Sequence, residues 1–165
     1  MRAMTLPRGF WLLALAPFLG AVGCGFHLQG RVELPHSLAT AHIEAGDRQS
    51  DFYTSLRAAL MAAGSHLDVE TDDAATIHIL EDSSSERVLT VSARNTPTAY
   101  LLSYRVKVAV EYQGRELLPA EEHTLTREYS FDETQLLAKE RESDILRQSL
   151  ADDLVALVMH RLAAL

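Results

Sequence analysis

The sequence contains one cysteine, few aromatic residues and fewer basic than acidic residues. The single cysteine, Cys24, has no second thiol in the chain to pair with, so the protein is not a small secreted domain held together by its own disulfides. Lysine and arginine number 15 against 23 aspartates and glutamates, which gives a net charge of −8 at pH 7. This balance argues against a nucleic-acid-binding protein, because a phosphate backbone is bound by a basic surface.

The sequence also lacks the short motifs that commonly carry catalysis. It has no glycine-rich phosphate loop, no Gly-x-Ser-x-Gly motif and no Cys-x-x-Cys pair. The histidines show no metal-ligand spacing and are expected to be exposed or singly hydrogen-bonded: His27, His36, His42, His66, His78, His123 and His160. These absences leave an enzyme without support but do not exclude one, and we expect no metal or cofactor. A periplasmic hydrolase that uses a serine or a carboxylate is the enzymatic alternative.

No apolar run is long enough to cross a bilayer comfortably as a helix. The apolar run between Arg8 and Cys24 contains Pro17 and several glycines and falls short of the ~20 apolar residues that a spanning helix needs. Basic residues, an apolar run and small residues before a cysteine are typical of a cleavable lipoprotein signal. We predict lipidation of Cys24, which would consume a thiol without a partner. A plain secretory signal followed by an incidental cysteine is the alternative.

Removal of residues 1–23 leaves an acidic chain of one domain's length. It takes away two basic residues and no acidic ones, so the net charge falls to about −10. Charge does not draw such a protein to an anionic membrane, so the acyl chains must hold it there. We expect a cleaved signal at 1–23, a lipidated tether and extended lead-in at 24–35, and a single domain at 36–165.

The first half of the domain predicts a strand and a helix. Ala41, Ile43 and Ala45 alternate with polar residues, which is the period of a half-buried strand. Ser50 or Asp51 can cap a helix whose apolar residues recur every three or four positions, and Gly64 ends it. The following region, 76–93, reads either as a hairpin or as one long bent strand.

The second half predicts long strands followed by a long helix. Apolar and polar residues alternate without a break from Tyr100 to Tyr112, and a further strand runs from Glu122 to Phe131. Asp132 and Gln135 form a helix-capping pattern. The predicted apolar stripe of this helix is Leu136, Leu146, Leu150, Leu154, Leu157 and Val158. We predict an α+β fold, a single mixed or antiparallel sheet of about four strands with two helices packed on one face.

Four short pieces, in order along the mature chain, resemble the LPS-assembly lipoprotein family, LptE. They are Cys24-Gly25-Phe26-His27-Leu28, Arg94-Asn95, Phe131-Asp132 and Leu137-Ala138-Lys139. The resemblance favours one long bent strand over residues 76–93. Glycine rather than aspartate after the cysteine implies transport onward to the outer membrane.

The resemblance implies a function as well as a fold. Members of this family are non-enzymatic partners of the outer-membrane β-barrel LptD; they sit in its lumen as a plug, assist its assembly and bind lipopolysaccharide (LPS). The implied location is the outer membrane, with N-terminal acyl chains as the anchor and the domain on the periplasmic side, inside the barrel lumen. The polar face of the long strand, with Ser103, Arg105, Lys107 and Glu111, suits a hydrophilic lumen, and simple solvent exposure is the alternative.

Two basic residues match the family's residues implicated in LPS contact, Arg94 and Lys139. Arg94 is expected to project from the edge of the sheet, at a strand end where Pro97 breaks pairing. Lys139 shares the helical azimuth of three members of the predicted apolar stripe, Leu146, Leu150 and Leu157, and is expected to lean toward the sheet. Both cations suit the phosphates of LPS. The alternative is that Arg94 is a solvated loop residue and that Lys139 pairs with Glu142.

One further alternative concerns the partner. The same features fit a generic outer-membrane lipoprotein adaptor that serves another envelope assembly machine or activates a periplasmic enzyme. Co-purification with a different partner would favour it.

Overall fold

The computed structural model describes residues 32–67, 71, 73–130 and 136–165, without the side chains of 136–140. Cys24 and the predicted cap at Asp132 and Gln135 lie outside these residues. Within them the chain forms, in order, β1 (Thr40–Ala45), α1 (Asp51–Ala62), β2 (His66–Leu67), β3 (Ala75–Val91), β4 (Pro97–Tyr112), β5 (Arg115–Ser130) and α2 (Leu136–Leu162).

The strands form one mixed sheet in the order β2-β1-β3-β4-β5. β1 runs parallel to β2 and β3, whereas β3, β4 and β5 form an antiparallel meander. The predicted α+β class, with one mixed sheet and two helices, is confirmed. The prediction of about four strands missed only β2. This strand has two residues, which are too few to show an alternation of apolar and polar side chains.

The three meander strands are much longer than β1. β3 has 17 residues, and β4 and β5 have 16 each, which exceeds the usual length of about 5–6 residues. Residues 76–91 are one strand, as the resemblance favoured, with a bulge between Ile79 and Glu81. β1 pairs with β3 only as far as Ile79. Residues 80–107 therefore extend beyond β1, and we call this part of the β3–β4 hairpin the arm.

Both helices contribute to a core that covers one face of the sheet. α1 begins where predicted, because the backbone N–H of Tyr53 donates to Oγ of the N-cap residue Ser50 at 3.0 Å. It ends before Gly64, whose φ of +97° is accessible to glycine at little cost. Large side chains below 2% exposure come from both helices and from alternate strand positions: Leu38, Phe52, Leu56, Leu60, Ile77, Val106, Val108, Val110, Leu118, Leu150, Leu154 and Leu162.

α2 runs back along β5, and its buried face differs from the predicted one. Ser143 contacts the arm through Glu86, and Arg161, much later in the helix, donates to Glu121 at 2.7 Å. Leu150, Leu154 and Val158 are buried, but Leu157 is 40% exposed, so its place in the apolar stripe was wrong. The reason is helical geometry: the buried face also includes Ala151, Val155, Met159 and Leu162, which centres it away from Leu157.

Among the described residues, no helix has both the length and the apolar character that membrane crossing requires.

Candidate functional site

The arm ends in a tight turn that carries Arg94. The backbone N–H of Asn95 donates to the carbonyl of Ser92 at 2.9 Å, and Asn95 has a φ of +61°, which asparagine tolerates better than most residues. The hydroxyl of Ser92 accepts from the N–H groups of Arg94 and Thr96, both at 3.3 Å. The turn is thus held by its own backbone and serine, and the Arg94 side chain is exposed.

The prediction that Pro97 breaks strand pairing was wrong. Pro97 is the first residue of β4 and lies opposite Val91 of β3. Proline is tolerated at this position because the first residue of a strand need not donate to the ladder. Arg94 accordingly sits at the end of a hairpin, not at a lateral edge of the sheet.

Exposed apolar side chains surround this turn. Val88, Leu89 and Val91 are 47%, 40% and 51% exposed, and Arg87 beside them is exposed as well. Contiguous exposed apolar surface is uncommon on a monomer and marks interaction sites. The tip of the arm therefore combines cationic and apolar groups.

Lys139 lies in the first turns of α2, and its backbone is at the same end of the domain as the arm tip. It precedes Ser143 by about one helical turn, and Ser143 donates to Glu86 of the arm at 3.2 Å. The side chain of Lys139 lies outside the described residues, so its orientation toward the sheet stays a prediction. Of the leucines that share its azimuth, Leu150 is buried and Leu157 is 40% exposed.

A carboxylate of the arm, Asp82, fixes it to α1. Tyr104 Oη donates to Asp82 Oδ1 at 2.8 Å, and the hydroxyl of Ser50 donates to the other carboxylate oxygen. Tyr104 Oη in turn accepts from the N–H of Phe52 at 3.3 Å. Burial, with Asp82 adding to it, raises the pKa of Tyr104 far above its usual range. The phenol stays protonated and holds the helix start against the sheet.

A second pair, Glu86 and Tyr129, fixes the arm to β5 and α2. Tyr129 Oη donates to Glu86 Oε2 at 2.5 Å, and Ser143 Oγ donates to the same oxygen. The Tyr129 ring stacks on Tyr100, with centroids 5.5 Å apart. Burial and the hydrogen bond to Glu86 raise the pKa of Tyr129 to about 12. These contacts brace the arm on the side that faces the helices.

This second pair predicts a loss of stability at high pH. The pKa of Tyr129 is raised in the folded state, whereas an unfolded tyrosine titrates near ~10. The stabilisation is therefore complete below about pH 10 and falls as pH rises through about 12. We expect Tyr129→Phe to flatten this alkaline decline, measured as the unfolding midpoint in urea from pH 9 to 12. An equal decline in the variant would contradict the assignment. The control is Tyr53→Phe, because the Tyr53 hydroxyl makes no hydrogen bond to a carboxylate among the described residues.

The face of the sheet opposite the helices is polar, as predicted. Ser103 and Lys107 are half-buried there, Glu111 is exposed, and Arg105 bridges Glu81 at 3.7 Å and Glu122 at 3.5 Å. These ion pairs are exposed and contribute little to stability.

The described part of the chain holds no group of three residues suited to a metal ion. On the polar face, the His78 ring lies 3.0 Å from a carboxylate oxygen of Glu44 and 3.9 Å from one of Glu111, so this contact joins three strands.

The two tyrosine–carboxylate pairs were missed by sequence reasoning. Tyrosines at inward positions of β4 and β5 do signal that each hydroxyl needs a partner. The partners lie 22 and 43 positions away along the chain, and only the register of the meander identifies them.

Comparisons with known proteins agree on one family. The family model described as "LptE: Lipopolysaccharide-assembly" matches residues 38–162. The LPS-assembly lipoprotein LptE of Pectobacterium atrosepticum is 23% identical over 163 residues, which cover 98% of this chain and 85% of that protein. The LPS-assembly lipoprotein LptE of Yersinia pestis (strain Pestoides F) is 26% identical over 153 residues, 92% of this chain and 70% of that protein.

Solved structures share the fold. The solution structure of an uncharacterized lipoprotein B from Nitrosomonas europaea matches with a TM-score of 0.68 at 26% identity, over 85% of this chain and 91% of that one. The crystal structure of the rare lipoprotein B from Shewanella oneidensis matches with a TM-score of 0.67 at 20% identity, over 76% of this chain and 94% of that one.

Proposed function

Because this chain belongs to the LptE lipopolysaccharide-assembly family, we propose that it is a non-enzymatic partner of the LptD β-barrel. It plugs the barrel lumen, assists the assembly of the barrel and binds LPS on its way to the outer leaflet. The observation that carries the proposal is the family match across residues 38–162, which covers the sheet and both helices.

The proposal includes the anchor and the domain boundaries. Residues 1–23 are removed, Cys24 is acylated, 24–35 form the tether, and 36–165 form the domain. Two or more acyl chains hold the protein at the outer membrane on the periplasmic side, since a single chain binds only reversibly. The tether also raises the effective concentration of the domain at the barrel. The polar face around Arg105 then meets the hydrophilic barrel lumen.

We place the LPS contact at the tip of the arm. Arg94 is exposed in the turn, Arg87 is close along β3, and Lys139 belongs to the helix start at the same end of the domain. Guanidinium and ammonium groups pair with the phosphates of lipid A and core. Val88 and Val91 add exposed apolar surface next to these cations, which suits an amphiphile with acyl chains.

A double charge reversal tests this contact. We expect Arg94→Asp with Lys139→Asp to weaken LPS binding by about 100-fold or more, because each of the two lost charge-assisted hydrogen bonds contributes about 1.5–3 kcal/mol. Retention of tagged LPS on the purified protein measures the change. Arg48→Asp with Arg115→Asp is the matched control, because it alters net charge equally at exposed positions outside the arm. Equal retention by the test and control variants would remove the assignment.

The enzymatic alternative has its own discriminating result. A hydrolase would lose activity through one Ser or Asp substitution while keeping its fold and its partner. No contact in the described part of the chain gives a serine a histidine as a base.

A further inference from the structure

Glu86 joins three elements just below the tip of the arm. Its Oε2 accepts the Tyr129 hydroxyl of β5 at 2.5 Å and the Ser143 hydroxyl of α2 at 3.2 Å. β4 lies between β3 and β5 in the sheet, so this carboxylate reaches across β4 on the side that faces the helices. The arm, the next strand and the long helix are therefore tied together at a single oxygen atom.

α2 and β5 advance together toward the tip of the arm. Arg161 pairs with Glu121 at one end, and Ser143 and Tyr129 meet at the shared carboxylate at the other. Between these two contacts the helix has eighteen residues at ~1.5 Å each and the strand has eight at ~3.4 Å each, so both advance about 27 Å. Lys139 lies one helical turn before Ser143, about 6 Å closer to the tip. The backbone of Lys139 and the turn of the arm thus both lie on the tip side of the shared carboxylate.

The contact with Ser143 fixes the start of α2. Of the polar contacts that the described side chains of α2 make with the sheet, it lies nearest to the start of the helix. The next one toward the C-terminus joins Ser149 to Arg127 of β5 at 3.1 Å, more than one helical turn later. Among the described side chains, Glu86 is therefore the group of the arm that holds the first turns of α2, which carry Lys139.

The negative charge of Glu86 has an opposite effect on anion binding. A carboxylate beside cationic groups repels a phosphate, so its removal by itself should strengthen LPS binding. At a separation of about 10 Å in water this repulsion changes affinity about twofold or less, and salt screens it further. Ordering two cationic elements against each other has a larger effect, because the second contact with one ligand then forms at high effective concentration. The sign of the change on removing Glu86 therefore shows which effect is larger.

We propose that Glu86 is a positioning residue for the LPS contact. It holds the start of α2 against the arm, so that Lys139 on the helix and Arg94 in the turn bind phosphates of one LPS molecule together. This inference rests on the LPS contact proposed above and adds the residue that sets its geometry. Glu86 itself does not touch the phosphates, because a carboxylate repels them.

Hydrogen exchange tests the positioning without any ligand. In the purified full-length protein, we expect Glu86→Ala to speed amide exchange in residues 140–146 of α2 about tenfold, because the helix start loses its hydrogen bond to the arm. Ser143→Ala should speed the same amides, and alanine suits a helix, so this variant keeps the fold. Unchanged exchange in 140–146 in both variants would overturn the proposal.

The matched control for charge is Glu128→Ala. Glu128 is exposed on β5, and it directly precedes the buried Tyr129, so its side chain points to the face of the sheet away from the helices. It makes no hydrogen bond or ion pair within the described part of the chain. Glu128→Ala should therefore leave exchange in 140–146 unchanged, and equal acceleration by Glu128→Ala and Glu86→Ala would contradict the assignment.

Retention of tagged LPS tests the sign of the effect. We expect Glu86→Ala to lower retention about tenfold, whereas Glu128→Ala removes the same charge near the same end of the domain and should tighten binding by about twofold or less. Glu86→Gln keeps an oxygen that accepts both hydroxyls, so it should lose less than Glu86→Ala. Retention that rises or stays equal in Glu86→Ala would overturn the proposal. Thermal unfolding of each variant confirms that its fold is retained.

A double-variant comparison separates positioning from general stability. Because Glu86 acts through the helix start, adding Lys139→Ala to Glu86→Ala should lower retention little further, whereas adding Arg94→Ala should multiply the loss. Losses that multiply at both positions would overturn the proposal. If Arg94→Ala and Lys139→Ala each leave retention unchanged in the unaltered background, the LPS contact and the role of Glu86 in it are both wrong, although accelerated exchange would still show that Glu86 holds the helix start.

Discussion

Leu154→Ala is expected to lower the free energy of unfolding by about 2–5 kcal/mol. Leu154 is 0% exposed on α2 and lies in the core formed by both helices and the sheet. Removing its branched end leaves a cavity that rigid strands on one side and α1 on the other cannot close. A loss of this size is a large share of the ~5–15 kcal/mol that stabilises a domain. Urea unfolding followed by circular dichroism measures it.

The matched control is Leu157→Ala on the same helix. Leu157 is 40% exposed, so the same chemical change removes less buried surface and leaves no enclosed cavity, and we expect a loss of about 1 kcal/mol. Equal losses at the two positions would contradict the orientation of α2 described above. The comparison separates the observed buried face from the stripe that the leucine spacing predicts.

Removal of the lipid anchor is expected to release the protein from the membrane almost completely. The change is replacement of residues 1–23 by a secretory leader with an Ala-x-Ala cleavage site, together with Cys24→Ser. Each buried methylene contributes about 0.8 kcal/mol to membrane binding, and the remaining acidic chain has no electrostatic attraction to anionic lipid. Fractionation of cells into soluble periplasm and membranes measures the shift.

Gly25→Asp provides the companion variant for the anchor. It keeps Cys24 and its acyl chains but alters the residue that implies transport to the outer membrane, so we expect a protein that remains membrane-bound in the inner membrane. Mass spectrometry of the unaltered protein should find acyl groups on residue 24. An unmodified thiol there, or a soluble unaltered protein, would disprove lipid anchoring.

The regular elements could be predicted from sequence wherever burial alternates cleanly. Tyr100 to Tyr112 alternates because β4 is covered by helices on one face only, and the structure confirms a strand there. α1 could be placed because Ser50 and Gly64 act through local backbone geometry. Such signals depend on a few neighbouring residues, so they can be recognised in the sequence without knowledge of the fold.

Features that depend on distant contacts could not be predicted. The prediction that Leu157 is buried was wrong, because the periodicity of apolar residues identifies a stripe on the helix but not the width of the surface that covers it. The partners of Tyr104 and Tyr129, and the length of β3 left uncovered by β1, depend on strand register. The prediction that Pro97 breaks strand pairing was wrong, because the missing N–H of a proline matters only at a position where the ladder requires a donor.

The measurement that tests the central claim most directly is affinity purification of the lipidated protein from solubilised outer membrane, followed by identification of everything that remains bound. The account predicts recovery of the LptD barrel together with LPS. It also predicts that the barrel is retained, and LPS reduced, when Arg94 and Lys139 are both changed to aspartate. Recovery of the protein alone, or with a peptidoglycan synthase or another assembly complex in place of an LPS-export barrel, would contradict it.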